Sequence, residues 1–121
     1  MEEYLNVFKA LACIMRIRIL RILQQAGKGL CVCEIMDALE ESQYNVSRHL
    51  KVLKYAGLVK DEKKGRWIEY RLVEPKNSFY DKLYKAISLI QEKEYRDDFK
   101  RLEARLALRK NDVCVIGIAE R

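Results

Sequence analysis

Hydrophobic spacing changes its period within residues 32–72, and no single type of secondary structure satisfies the whole stretch. Ile35, Met36 and Leu39 repeat at helical spacing over 32–39, and Val46, Leu50 and Leu53 do so again over 43–55. From residue 66 onward the period falls to two, with Ile68, Tyr70 and Leu72 alternating against Trp67, Glu69 and Arg71. The connectors are short. Glu40-Glu41-Ser42 joins the two helices, and Ser42 suits an N-cap because its hydroxyl accepts an orphan backbone N–H. Gly57 closes the second helix, and Lys63-Lys64-Gly65 joins the arms 58–62 and 66–72 as a hairpin.

The flanks read as helix. Tyr4, Leu5, Phe8, Leu11 and Ala12 mark a helix over about 4–12. A second spans about 14–25, with Ile14, Ile17, Leu20, Ile22 and Leu23 inward and Arg16, Arg18 and Arg21 outward, ended by Gly27 and Gly29. Beyond Pro75 come two apolar stripes: Tyr80, Leu83, Tyr84, Ile87 and Ile90, then Tyr95, Phe99, Leu102 and Leu106. Part of that surface can fold back on the N-terminal helices, and the remainder predicts a partner subunit, a homodimer. At 121 residues the expectation is one main domain over 1–92, followed by a helical extension and tail over 93–121. No run of 18 apolar residues is present, which excludes a membrane-spanning helix, and acidic Met1-Glu2-Glu3-Tyr4 argues against a secretory signal. The expected location is the cytoplasm.

Charge narrows the function. The net charge is +6 and is unevenly spread: 31–42 holds four acidic residues and no basic one, while 43–71 holds eight basic against three acidic. Such a basic block is the footprint of a polyanion partner. Helix, tight turn, helix and hairpin in that order make a mainly α, winged helix-turn-helix fold, with a two-stranded β-hairpin wing and C-terminal dimerisation helices. Its second helix enters the DNA major groove and its wing lies along the backbone. Tyr44, Ser47, Arg48, Lys51 and Tyr55 lie opposite the packed face, and Gln43 and Asn45 occupy the first turn. Gln and Asn bond adenine bidentately and Arg48 suits guanine. Lys54, Lys63, Lys64 and Arg66 are expected at phosphates, which supply affinity without sequence information.

Four cysteines stand at 13, 31, 33 and 114. Without an export signal they are expected to stay reduced, and soft thiolates select soft ions. The Cys31-Val32-Cys33 pair falls at a helix N-terminus, where the dipole favours thiolate. Successive helical residues turn by about 100°, so two helical cysteines at that spacing would point about 200° apart. One ion with sulfur bonds near 2.3 Å cannot hold both. Either the first turn unwinds on ligation, or Cys31 stands in a non-helical cap. Cys114, in the tail Asn111-Asp112-Val113-Cys114-Val115, is the favoured third ligand, and Cys13 at the junction of the first two helices is the alternative. His49 is the one histidine, at the edge of the packed face, and reads as structural; histidine-rich metal sites are therefore excluded. No Gly-rich phosphate loop, nucleophile elbow or histidine triad can be assembled, so no enzyme is expected. A thiol redox protein would carry Cys-x-x-Cys beside a βαβ unit, and neither is present.

Leu30-Cys31-Val32-Cys33-Glu34-Ile35, the run Tyr44-Asn45-Val46-Ser47-Arg48-His49-Leu50-Lys51-Val52-Leu53, and Ala56-Gly57-Leu58-Val59 together resemble the ArsR/SmtB family of metal- and metalloid-responsive repressors. The Leu-Cys-Val-Cys-acid-apolar run looks like its arsenite/antimonite sensors, and Arg16-Ile17-Arg18-Ile19-Leu20 matches the family's second helix. The resemblance covers roughly residues 5–90. It implies a homodimeric repressor of double-stranded operator DNA that leaves the operator when As(III) or Sb(III) binds, with no constitutive cofactor. Met36 stands where several members carry a further thiol. The alternative within the family is a cadmium-, lead- or zinc-responsive repressor. Such members draw extra thiols from an N-terminal arm, and no cysteine precedes Cys13.

Overall fold

The computed structural model describes residues 1–117, the side chain of Glu94 excepted. Helices α1 (Glu2–Leu11) and α2 (Ile14–Ala26) lead into a short strand β1 (Leu30–Cys31). Next come α3 (Val32–Leu39), α4 (Gln43–Tyr55), the hairpin β2 (Val59–Lys64) and β3 (Trp67–Leu72), then α5 (Ser78–Ser88) and α6 (Lys93–Leu106). This is the expected mainly helical helix-turn-helix with a wing. Glu40 ends α3 in the left-handed region at φ 52°, which turns the chain sharply, and the Ser42 hydroxyl accepts the Asn45 N–H at 3.2 Å to start α4. Val46, Leu50 and Leu53 are fully buried, as their spacing predicts, among Val7, Ile19, Leu20, Ile22, Leu30, Ile35 and Leu58.

The sheet is antiparallel in the order β1-β3-β2. β2 runs on to Lys64, opposite Trp67, so the turn falls at Gly65-Arg66 and not at 63–65 as expected. The two-residue β1 escaped the sequence reading. It pairs Leu30 with Tyr70 and Cys31 with Glu69, which makes β3 the central strand with both its edges paired. Tyr70 and Leu72 pack on the helical core, while Glu69, which alternates against them, is also buried.

Two further expectations are corrected. Ile14, expected inward, is 81% exposed, and the arginines of α2, expected outward, are half-buried. Arg16 turns to the Ala10 carbonyl at the end of α1 and to His49; for Arg18 and Arg21 the cause is α6, which lies along α2 and α3. Its fully buried Asp98 accepts Arg18 bidentately at 2.7 and 2.9 Å, and its Tyr95 and Phe99 rings take the Arg21 guanidinium at 5.2 and 5.3 Å. Ile90 also leaves its expected helical stripe, because α5 ends at Ser88; Tyr80 and Ile87 hold that helix to the core. Leu102 of α6 joins the same core as the helix-turn-helix.

Candidate thiol centre and DNA-facing surface

Cys31 is the N-cap of α3 with extended backbone (φ −73°, ψ 157°), and Cys33 lies in the first helical turn. The second of the two geometries open to the sequence is the one adopted: no helical turn has to separate the two sulfurs. At the far end of the chain, Asn111 and Asp112 take left-handed conformations (φ 55° and 57°) between bridged Lys110 and Val113, and this reversal brings the tail back onto α3. Cys31, Cys33 and Cys114 are all buried in one cluster, with Trp67 packed against it. Cys33 Sγ lies 3.7 Å from Cys114 Sγ, and both face the Ile116 carbonyl, at 3.4 and 3.6 Å. Two sulfurs on one atom at about 2.3 Å each can stand no more than about 4.6 Å apart. The Cys33–Cys114 pair meets that condition. Cys13 is elsewhere: it caps α2 and lines an apolar pocket with Leu11, Ile14 and Ile17.

A row of arginines fastens the tail end of the chain to α3. Arg101, Arg105 and Arg109 recur every fourth residue, so they share one side of α6 and its continuation. Arg101 donates to the Ala38 carbonyl at 2.8 Å and to Asp98 at 2.9 Å. Arg105, only 4% exposed, donates to Asp37 at 2.7 Å, to Cys33 Sγ at 3.3 Å and to the Ile116 carbonyl. Arg109 grips fully buried Glu34 through two bonds of 2.6 and 2.7 Å and also donates to the Gly29 carbonyl at 2.8 Å. Gly29 is fixed by crowding: a Cβ there would sit 2.7 Å from Glu69 Oε1. Glu34 accepts the Cys31 N–H at 2.9 Å, so the acid that neutralises Arg109 also caps the helix carrying the thiols.

These contacts divide the thiols. The Cys33 sulfur is stabilised as thiolate by hydrogen bonds from the Cys31 and Cys114 thiols and by the charge of Arg105, which holds its pKa below the usual thiol range. Cys31 is pushed up, first because it donates to Cys33 and then by burial; Cys114 is pushed up by burial. Cys33 is thus the first of the three thiols to ionise. Sequence reading gave Glu34, Arg105 and Arg109 no role. Two signals were available: the four-residue arginine spacing, and the Cys-x-x-Glu register of a capping box.

On the opposite surface Gln43, Tyr44, Ser47, Arg48 and Lys51 line one open groove along α4, all exposed. Asn45 differs, because its amide donates to Glu41 at 2.8 Å and its side chain is part of the turn. Lys54 pairs with Asp61 at 3.0 Å and Lys64 with Glu62 at 2.7 Å, both solvent-exposed pairs worth little to stability. Lys63 is exposed on the wing and Arg66 stacks over Trp67 at 4.5 Å. His49 is buried between Arg16 and Arg48, at 3.2 and 3.5 Å, a packing position.

The family described as bacterial regulatory protein, arsR family, matches residues 15–61, which hold the helix-turn-helix and the start of the wing. The arsenical resistance operon repressor of Escherichia coli K12 is 44% identical over 68 residues, 56% of this chain and 57% of that one. The chain thus spans little more than half the length of that relative. An uncharacterized HTH-type transcriptional regulator of Methanocaldococcus jannaschii, MJ1325, is 38% identical over 91 residues, 75% of this chain and 94% of its own. Among solved structures, the homodimeric winged helix-turn-helix domain of Mb0332 from Mycobacterium bovis, a possible ArsR-family regulator, aligns with a TM-score of 0.61. That alignment covers 73% of this chain and 77% of the other at 27% identity. The helix-turn-helix, its wing and a 38% identical regulator matched over almost its whole length lead to one conclusion: the chain belongs to the ArsR family, a family of transcriptional regulators and not of enzymes.

Proposed function

We propose that the chain is a homodimeric repressor that holds operator DNA with α4 and the wing, and releases it when As(III) or Sb(III) binds Cys31, Cys33 and Cys114. The observation that carries this reading is the gathering of three buried thiols, two of them 3.7 Å apart, against the first helix of the helix-turn-helix. Such an all-sulfur donor set suits a soft, thiophilic centre. The arsenical resistance repressor of Escherichia coli, 44% identical, points the same way. Exposed Leu5, Phe8, Ile14 and Leu89 supply the apolar surface that a second subunit would cover.

Capture at these residues ties the tail to the start of α3 and takes from Arg105 the anionic sulfur it now faces. Because Cys31 already stands outside the helix, no unwinding of α3 is required; the change is delivered as a shift of α3 and the tail. α3 passes it through the Glu40 turn to α4. A preference of about 1–3 kcal/mol for the released form lowers operator affinity about 5–150-fold.

Titrating a promoter fragment bound to the reduced protein with arsenite, antimonite, cadmium, lead and zinc at fixed salt tests the reading. Release at the lowest concentration is expected from arsenite or antimonite. Preferential release by cadmium or lead overturns the choice of inducer, and release by none overturns the inducer site. A proton count is a second check. With Cys33 alone ionised, arsenous acid brings three hydroxyls to one thiolate and two thiols, so its binding takes up about one proton, whereas a divalent cation displaces about two.

A further inference from the structure

We infer that Arg109 sets which ions the thiol centre accepts, by withholding Glu34 from them. The inference rests on the thiol centre being the inducer site. A carboxylate oxygen of Glu34 and the sulfurs of Cys31 and Cys114 all lie within 4.8 Å of one another, and all three residues are buried. Cys33 stands outside that group but lies 3.7 Å from Cys114 Sγ, so three sulfurs and one oxygen, the donor number a tetrahedral divalent ion such as zinc takes, are at hand. Three-bonded As(III), whose fourth direction is a lone pair, needs only the sulfurs.

The carboxylate is nevertheless held by three hydrogen bonds. Oε1 accepts Arg109 Nη2 at 2.6 Å and the Cys31 N–H at 2.9 Å, and Oε2 accepts Arg109 Nε at 2.7 Å. Arg109 is itself fixed by the carbonyls of Gly29 at 2.8 Å and Asp112 at 3.2 Å, with Glu69 at 3.7 Å, and its side chain is 4% exposed. A cation at Glu34 would compete with a buried guanidinium for the carboxylate, and full transfer would leave that charge without its main partner. The centre therefore offers three donors to a trigonal metalloid and denies the fourth to a tetrahedral cation. Arg109 is the specificity-determining residue and Glu34 the ligand it sequesters.

The test compares the full-length, reduced wild type with Arg109→Met, Glu34→Gln and the double variant. Zinc affinity is read by competition with a chromophoric chelator and arsenite affinity by protection of the thiols from alkylation. Arg109→Met is expected to bind zinc at least about tenfold more tightly than wild type, with arsenite affinity changed by less than about threefold. Adding Glu34→Gln to it returns zinc affinity to the wild-type value, and Glu34→Gln alone leaves zinc binding within about threefold of wild type. Unchanged zinc affinity in Arg109→Met overturns the inference, as does a tenfold loss in Glu34→Gln, which would make Glu34 a ligand already. Should Arg109→Met be unfolded, recovery of its helical circular dichroism with zinc but not with arsenite supports the inference, and recovery with neither overturns it. A wild type whose three thiols arsenite fails to protect refutes the inducer site instead, and the zinc comparison still reads the role of Arg109.

Discussion

The outer face of α4 and the seam between α3 and α6 use charge in opposite ways. On α4, Gln43, Ser47, Arg48 and Lys51 stand in solvent along an open groove. In the seam, Glu34, Asp98 and Arg105 are buried and bonded to Arg109, Arg18 and Asp37, which lie far away in sequence. An exposed cation costs the fold nothing and is free to meet a phosphate or a base. A buried one is a structural commitment, because its partner cannot be removed without stranding it. The two regions should therefore answer mutation differently.

The largest effect is expected in the seam. Glu34→Ala or Arg109→Ala alone should lower the unfolding free energy by about 3–5 kcal/mol in chemical denaturation, because each leaves a buried charge unpaired. Arg48→Ala should change it by no more than about 0.5 kcal/mol, as surface substitutions do. Equal losses in the two regions would break the comparison. On DNA the order reverses: Arg48→Ala should weaken operator binding by about 1–3 kcal/mol in an anisotropy titration, if Arg48 reads a base edge. Lys63→Ala has a smaller and different signature. It should weaken all sequences alike and reduce the slope of log affinity against log salt by about one, as loss of a phosphate contact does.

The smallest effect belongs to His49, an α4 residue with its side chain inside. Burial lowers its pKa, and the charges of Arg48 and Arg16 add to that. The folded protein thus holds the imidazole neutral where the unfolded chain would protonate it, so stability rises with pH through this range. The contribution is whole above the ordinary histidine value of about 6.5 and is lost as the pH falls below it. His49→Gln should flatten stability against pH in that window.

Much of this was legible from local pattern. The helix-turn-helix announces itself through Val46, Leu50 and Leu53, the Ser42 cap and the switch to alternation at Trp67, all of which depend on neighbours in the chain. Cys31 and Cys33 were equally visible. What stayed hidden depends on contacts across the fold. Arg18 meets Asp98 and Glu34 meets Arg109 over 80 and 75 positions, and no local spacing encodes such a meeting. Alternation along β3 places Glu69 opposite Tyr70 without revealing that Arg109 comes back against Glu69 and that this side is buried too. Ile14 was misread for a related reason: a helical wheel orders the residues of α2, but only the position of α6 decides that Arg18 is covered and Ile14 is not.

The central claim is that the tail cysteine completes the inducer site of a centre already assembled around α3. Arsenite titration of the operator complex, run in parallel on wild type, Cys114→Ser and Cys13→Ser, tests it most directly. The account predicts that all three bind the operator alike, that wild type and Cys13→Ser release it over the same arsenite range, and that Cys114→Ser stays bound. Release of Cys114→Ser at wild-type arsenite concentrations would contradict it.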